Sequence, residues 1–148
     1  MNPGCDPILL SLRPEYADLV FQGLKTAELR RRIGHVAENR EVFIYVTSPV
    51  MAVRGSFRVG HVWKGDPDEV WAKVHQLAQV SRSVFDAYYN GKTVAYALEI
   101  RDVKEFSESV TLKSLRERFP KFVVPQSYRR LLPAERRCIV ATAARAAA

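Results

Sequence analysis

The sequence predicts an α+β fold, in which helices flank a small barrel-like mixed sheet of about five to six strands. Two segments, Glu41–Thr47 and Met51–Lys64, place β-branched and aromatic side chains in the two-residue period of a strand. Helix-start signals separate the strand-like segments, but no regular strand–helix–strand repeat is present, which argues against a doubly wound parallel sheet. Curling into a barrel is expected because it removes exposed strand edges.

The amino-terminal part of the chain is predicted to form a strand, a helix and a second strand. Ile8–Leu12 is a short apolar run suited to a buried strand. Pro14 favours the first turn of a helix, and Gly23 is a typical helix end. Lys25–Arg32 then alternates charged with apolar side chains, which indicates a strand with one polar face.

The middle of the chain contains the clearest strand signals. Polar Gly34–Arg40 is predicted to be a loop before the strand Glu41–Thr47, which Ser48-Pro49 ends. Within the longer strand that follows, Gly55 and Gly60 indicate a bulge or a close backbone approach. The large apolar residues expected to share one face of that strand are Val53, Phe57, Val59 and Trp63.

Capping residues mark the helices of the carboxyl-terminal half. Asp66 is a strong N-cap before Pro67, with Glu69 placed for a reciprocal capping contact. Ser81 begins a second short helix, which ends at Asn90-Gly91. The remaining predicted elements are a strand over Thr93–Val103, a helix capped by Thr111 and ended by Pro120, an irregular segment over Pro125–Arg130, and a terminal helix from Pro133.

Composition predicts one globular domain over residues 1–148, of 47% hydrophobic content. No apolar run approaches the roughly 20 residues of a membrane span, and no secretory signal is present, so the protein is expected to be cytoplasmic with reduced thiols. Cys5 and Cys138 are too few for a metal framework, and the three histidines lack metal-ligand spacing. The sequence therefore predicts neither a metal nor a cofactor.

The charge is strongly positive and unevenly distributed. The formal net charge is +7, and the sequence pI is about 9.7. Arginines cluster at positions 30–32, 129–130 and 136–137. Such clustering favours a polyanionic partner such as a nucleic acid.

Three segments carry polar groups that a plain core does not require. In the first, Lys25 precedes a strand on which Glu28 and Arg30 share a face, an arrangement that can hold a phosphate or tune a proton donor. The alternative is an edge strand whose solvated charges discourage aggregation. The second segment, Tyr45–Pro49, brings three hydroxyl groups to a strand end, and the third is the polar Pro125–Arg129.

Taken together, these segments resemble the ASCH domains of the PUA-like superfamily. Gly23–Arg30 matches the G-x-K-x-x-E-x-R signature of that family. Ile44–Val50 is similar to its second strand block, Val53–Phe57 to its V-x-G-x-F strand, and Pro125–Arg129 to its closing P-Q-S-F-R motif. The resemblance spans about residues 8–131. It implies a PUA-like β-barrel with a cleft where the motifs converge.

The resemblance also implies RNA as the ligand, most simply single-stranded RNA. The first hypothesis is an RNA-binding module, with metal-independent ribonuclease activity on single-stranded RNA as its expected reaction. In that hypothesis Tyr45 and Ser127 act at the scissile phosphate, and Lys25 and Glu28 lie at the cleft. The family expects a lysine where this chain has Met51, and Arg54 is the candidate replacement as a stabiliser of negative charge. The residues expected to contact RNA are Arg30, Arg32, Thr47, Ser48, Arg54, Gln126 and Arg129.

Two alternatives stay open at this point. Some members of the family are small amidohydrolases that deacylate a modified nucleoside such as N4-acetylcytidine, in which Lys25 would be the nucleophile or base. The amidohydrolase members of the family have a threonine at the position of Glu28, which argues against this alternative. The other alternative is a non-enzymatic regulatory or interaction domain that has lost catalysis. The excess of arginine favours RNA over a neutral nucleoside.

Overall fold

The computed structural model describes residues 6–34 and 36–147 and confirms the α+β class. Six strands and five helices follow one another along the chain. Their order is β1 (Ile8–Leu12), α1 (Pro14–Phe21), β2 (Ala27–Arg30), β3 (Glu41–Val46), β4 (Ala52–Gly65), α2 (Pro67–Ala78), α3 (Arg82–Tyr88), β5 (Ala95–Thr111), α4 (Leu112–Arg118), β6 (Tyr128–Arg130) and α5 (Pro133–Ala147).

All six strands form one sheet, in the order β2-β5-β4-β3-β1-β6. The β1–β3 pair is parallel, and every other pair is antiparallel. The sheet curls into a half-barrel, as the predicted barrel-like architecture requires. Strands β2 and β6 are the two ends of the strand order, so the residues of the Gly23–Arg30 and Pro125–Arg129 motifs come from opposite edges of the sheet.

Apolar side chains bury both faces of the sheet in three clusters. The first cluster combines alternate residues of β1, β3, β4 and β5 with Ala17 and Val20 of α1. The second packs the opposite faces of β1 and β3 against α4 and α5. In the third, Val70 and Val74 of α2 and Phe85 of α3 cover β2 and the start of β5. Burial on both faces explains why β3 is apolar at almost every position.

Irregularities in β4 correct the predicted face of that strand. The ladder with β5 shifts register between Val53 and Gly55 and again before Trp63. As a result Val53 lies in the second cluster, Phe57 and Val59 lie in the first, and Trp63 packs against the third. The predicted bulge at Gly55 is confirmed, and a Cβ there would collide with the Lys104 carbonyl oxygen and the Phe21 ring.

The predicted helix starts are confirmed, with one difference in detail. Ser81 accepts a hydrogen bond from the Val84 N–H, and Thr111 accepts one from the Ser114 N–H. Asp66 caps α2 by accepting from the N–H of Asp68, at 2.9 Å, and not from Glu69. Side-chain oxygens at these positions satisfy N–H groups that a helix start leaves without partners.

Two strands differ from the sequence prediction. Strand β5 does not end at Val103 but continues to Thr111, because its polar second half still pairs with β4 from Ala52 to Ser56. The segment predicted to be irregular contains β6, whose three residues pair with Ile8–Leu10 of β1. In both cases a neighbouring strand supplies the hydrogen bonds. The local sequence lacks the alternation of apolar side chains that would predict a strand.

Glu135 anchors the last helix, and its substitution is expected to lower stability strongly. The carboxylate is 4% exposed, accepts two hydrogen bonds from Arg129 and one from the Leu132 N–H, and thereby fixes the start of α5. Glu135→Gln leaves the half-buried guanidinium without its counter-ion, so we expect a loss of about 2–4 kcal/mol in the free energy of unfolding by urea denaturation. Exposed Glu117→Gln on α4 is the matched control and should change it little.

The same ion pair gives stability a defined pH dependence. Burial alone would raise the pKa of Glu135, but the Arg129 and Leu132 hydrogen bonds outweigh it and hold the pKa below the ordinary 4.5. The contribution is therefore complete above pH 4.5 and is lost as the pH falls through the lowered pKa. Wild type should lose more stability on acidification than Glu135→Gln, and equal losses would contradict this account.

Among residues 6–34 and 36–147, no helix is both long enough and apolar enough to cross a bilayer. Cys5 and His35 lie outside the described residues, and Cys138 on α5 is a half-buried free cysteine. His61 and His75 are exposed, and within the described part of the chain no group of histidine, cysteine and acidic side chains could hold a metal ion.

Candidate functional site

A cavity of about 890 Å³ opens between the two edges of the curled sheet. One wall is β2, the second is the segment before β6 together with the end of β1, and the third is α3. The charged residues that line it are Arg13, Lys25, Glu28, Arg30, Arg31, Arg32 and Lys92. The hydroxyl and amide side chains among its lining residues are Ser11, Thr47, Gln126 and Ser127, with Tyr16 and Tyr88 also present.

Lys25 is the buried cation of this cavity. It is 3% exposed, and its Nζ donates a hydrogen bond of 2.6 Å to the Ala78 carbonyl at the end of α2. The same Nζ lies 3.9 Å from Glu28 Oε2 and 5.2 Å from the centre of the Tyr16 ring. Burial lowers the pKa of Lys25 below 10.5, although the Glu28 charge acts in the opposite direction. A lowered pKa makes the neutral amine more accessible as a proton acceptor.

Glu28 and Arg30 share a face of β2, as the strand period predicts. Their register partners Leu98 and Tyr96 belong to or pack against the first core cluster, so both charged side chains point to the inside of the half-barrel. Arg30 NH1 lies 3.4 Å from Glu28 Oε1. Glu28 Oε2 and Arg30 Nε are both buried without a hydrogen-bond partner among the described residues. Unsatisfied buried polar atoms of this kind are rare and point to a ligand site.

Arg30 also joins the two edges of the sheet. Its NH2 donates a short hydrogen bond to the Ser127 hydroxyl, which lies just before β6. The Ser127 carbonyl in turn accepts from the Ser11 N–H of β1, at 3.0 Å. Arg30 therefore holds Ser127 at the cavity wall, and a guanidinium beside a hydroxyl is a suitable pair for a phosphate oxygen.

The mouth of the cavity carries exposed cations, and α3 supplies an apolar wall. Arg13, Arg31, Arg32 and Lys92 are exposed and form no ion pair with the described residues. Arg31 lies over the Tyr88 ring at 4.8 Å. The apolar side chains facing them from α3 and its approach are Val80, Val84, Phe85 and Ala87. The cavity thus combines a charged floor, an apolar wall and a cationic mouth.

Seven of the eleven predicted site residues line this cavity, and four do not. Those brought together are Lys25, Glu28, Arg30, Arg32, Thr47, Gln126 and Ser127. Those outside it are Tyr45, Ser48, Arg54 and Arg129. Ser48 is an exposed turn residue that precedes a cis peptide bond to Pro49.

Arg54 and Arg129, two of the predicted RNA contacts, each form ion pairs within the protein. Arg54 pairs with Asp18 at 2.5 Å and with Glu105 at 3.5 Å, and it lies over the Phe21 ring. Arg129 holds Glu135 and donates to the Val123 carbonyl, which assigns it to the anchoring of α5.

Tyr45 is buried on the neighbouring part of the sheet. It packs in the second core cluster, and it pairs in register with Ser11, whose N–H bonds to Ser127. Tyr45 and Ser127 are thus about two strand spacings apart, roughly 10 Å. Burial raises the pKa of Tyr45 above 10.0, while the nearby Arg116 charge lowers it to a smaller extent. The phenol is therefore a proton donor at neutral pH and not a base.

Sequence reasoning missed several residues at or near the cavity. Arg13 and Lys92 belong to no motif, although each flanks a predicted helix, and Arg31 is predicted only as part of an arginine cluster within a strand. Arg116 was also missed, because a cation on the exposed face of a helix carries no sequence signal. Its charge nevertheless lowers the pKa of Tyr45, whereas the exposed Met51 has no charge to contribute.

Comparison with known proteins gives consistent matches. A family model described as "ASCH domain" matches residues 10–131. A Zymomonas mobilis protein named "ASCH domain-containing ribonuclease" is 32% identical over 125 residues, covering 84% of each chain. A Ureaplasma parvum protein named "Large ribosomal subunit protein uL22" is 30% identical over 109 residues, but the match spans 70% of this chain and only 35% of that one.

Solved structures agree with the sequence comparison. The crystal structure of ASCH from Zymomonas mobilis has a TM-score of 0.86 at 31% identity and covers 92% of this chain and 94% of its own. Two further structures are of variants of that protein, one with a tyrosine changed to phenylalanine and one with a serine changed to alanine. A hypothetical protein from Leishmania major, at 13% identity and a TM-score of 0.62, shares the fold alone.

Proposed function

Because this chain belongs to the ASCH domain family, we propose that it binds single-stranded RNA at the cavity between β2 and β6 and cleaves it without a metal ion. The observation that carries the proposal is the charge of the cavity, whose lining contains six cationic side chains and one acidic one. Such a concentration of cations attracts a polyanion through counterion release. A relative named as a ribonuclease at 32% identity supports the choice of reaction.

Cleavage without a metal needs only a nucleophile from the RNA itself. The ribose 2′-oxygen forms a bond to the adjacent phosphorus, and the bond from phosphorus to the 5′-oxygen breaks. The products are a 2′,3′-cyclic phosphate and a 5′-hydroxyl end, so no water or oxidant is consumed. The protein must accept the 2′ proton, stabilise charge on the phosphate and return a proton to the 5′-oxygen.

The site contains a group for each of these tasks. The Arg30 guanidinium stabilises the phosphate charge, while Ser127, held by Arg30, hydrogen-bonds a phosphate oxygen. Lys25, with its lowered pKa, accepts the 2′ proton. The Ser127 hydroxyl also returns a proton to the 5′-oxygen, because Tyr45, although its raised pKa keeps it protonated, is buried in the second core cluster and does not line the cavity. A tyrosine and a serine are also the residue types changed in the solved variants of the Zymomonas mobilis protein.

One observation favours a second candidate function. A buried lysine with a lowered pKa is also what an amidohydrolase acting on an acylated nucleoside needs. Such a substrate is neutral, however, and makes no use of the exposed cations Arg13, Arg31, Arg32 and Lys92 at the mouth. Release of acetate from N4-acetylcytidine that is lost in Lys25→Met, without any cleavage of RNA, would establish this function in place of the ribonuclease.

Binding of RNA should be salt-sensitive and should depend on the mouth of the cavity. We expect Arg31→Gln with Arg32→Gln to weaken binding of a fluorescein-labelled single-stranded oligonucleotide about tenfold at low salt, measured by fluorescence anisotropy. The slope of log affinity against log salt should become shallower by about 0.7 for each phosphate contact removed. A matching duplex should bind wild type more weakly, because bases held in pairs cannot enter the cavity.

The matched control is Arg137→Gln with Arg145→Gln on α5, which removes the same charge from exposed positions that do not line the cavity. Equal weakening by both double variants would show that net charge alone drives association. Unchanged affinity in Arg31→Gln with Arg32→Gln would remove the cavity mouth from the binding surface.

A further inference from the structure

The floor of the cavity contains hydrogen-bonding groups that the protein itself does not use. The Glu28 side chain is 9% exposed, yet its Oε2 has no hydrogen bond, and neither has Arg30 Nε, within the part of the chain that the structure describes. Both groups lie in the lining of the cavity. Burying a carboxylate oxygen without a hydrogen-bond donor costs free energy. We therefore expect this oxygen to accept a hydrogen bond from an N–H or O–H group of a ligand.

These groups form an ordered array. Glu28 Oε2 is an acceptor, with Lys25 Nζ 3.9 Å to one side and Arg30, in contact with Oε1, on the other. Lys25 uses one N–H on the Ala78 carbonyl and has others to spare in either protonation state, and Arg30 Nε–H is unused. The floor therefore presents a donor, an acceptor and a donor in succession.

The direction in which a nucleotide enters follows from the charges. A phosphate placed against Glu28 would meet a carboxylate. Phosphates are therefore expected beside Ser127 and the NH2 of Arg30, and at the mouth, where the cations are exposed. The wall formed by Val84 and Tyr88 suits the flat face of a base. A base against Glu28, with one phosphate beside Ser127 and the neighbouring phosphates at the mouth, satisfies all of these groups together.

We propose that the cavity reads uracil through the Lys25, Glu28 and Arg30 array, which rests on RNA being the ligand as proposed above. The pairing edge of uracil presents O4, N3–H and O2, an acceptor, a donor and an acceptor, which complements the floor. Cytosine has one amino donor beside two acceptors, guanine has two adjacent donors, and adenine lacks the third group. Uracil is the RNA base whose central donor meets Glu28 between two acceptors.

The test uses short single strands with 2′-fluoro riboses, which lack the attacking hydroxyl and so separate binding from cleavage. Labelled hexamers of uridine, cytidine and N3-methyluridine are compared by fluorescence anisotropy. Wild type should bind the uridine hexamer at least about tenfold more tightly than the other two, the discrimination typical of a specific base contact. Glu28→Gln should reduce the preference for uridine over cytidine to less than about threefold, with Glu117→Gln as the control.

The N3-methyl comparison changes the ligand only, so it stands even if Glu28→Gln folds poorly. Equal affinity for all three hexamers, with RNA still cleaved, overturns uracil recognition and leaves the ribonuclease intact. Binding that is selective for uridine, without cleavage of RNA, supports uracil recognition and overturns the catalytic proposal. Failure of every hexamer to bind overturns both.

Discussion

Lys25→Met is expected to lower the rate of single-stranded RNA cleavage by roughly 10²–10⁴-fold in single-turnover assays, the usual contribution of a positioned general base. Methionine fills the volume of the lysine stem but cannot accept a proton. The free energy of unfolding should change by only about 1 kcal/mol, because Glu28 keeps Arg30 as its counter-ion. A loss of activity with stability retained separates a chemical role of Lys25 from a structural one.

The pH dependence of wild-type stability and of RNA cleavage is a second test of the role of Lys25. Burial places the pKa of Lys25 below 10.5, so the folded protein releases this proton before the unfolded chain does. Between the lowered pKa and 10.5 the unfolded state binds more protons, and stability contributed by this group therefore rises with pH. Cleavage should also rise through the lowered pKa as the amine becomes neutral. Lys25→Met should lack both effects, and a variant that keeps the wild-type pH profile would exclude Lys25 as the base.

Arg30→Lys is the second substitution with a large expected effect, about 10²–10³-fold on cleavage, the usual loss when a donor to a developing negative charge is removed. Lysine keeps the charge but cannot contact Glu28 and Ser127 at once, which Arg30 does through separate nitrogens. The rate should fall more than the affinity for RNA, because Ser127 is no longer held in place. Double substitution with Ser127→Ala should add little.

Arg32→Lys is the matched control, since it makes the same change at an exposed position of the same cavity. It should retain most of the activity. Equal losses in the two variants would mean that the effect is not specific to the position of Arg30. Full additivity of Arg30→Lys with Ser127→Ala would mean that the two residues act independently.

Local signals in the sequence predicted much of the fold, because they depend on neighbouring residues. The strand Ile8–Leu12 and the caps at Ser81 and Thr111 are of this kind, and the structure confirms them. The register shifts of β4 and the three-residue strand β6 depend on pairing with distant segments. No pattern within either segment could reveal them.

The features of the candidate site also divide into those that local sequence signals predict and those that depend on distant segments. Strand alternation placed Glu28 and Arg30 together, since a period of two fixes which side chains share a face. The wall from α3 was not predicted, because the apolar face of a helix looks the same whether it meets a core or a cavity. Arg129 is predicted to contact RNA, and its ion pair with Glu135 could not be read from the sequence.

The central claim is that this cavity cleaves single-stranded RNA through the 2′-hydroxyl without a metal ion. The most direct measurement incubates end-labelled RNA with wild type in excess EDTA and identifies the new ends, beside the same RNA carrying 2′-fluoro riboses. The account predicts 2′,3′-cyclic phosphate and 5′-hydroxyl ends from the RNA, and no products from the fluorinated strand. Cleavage that stops in EDTA, or that proceeds on the fluorinated strand, would contradict it.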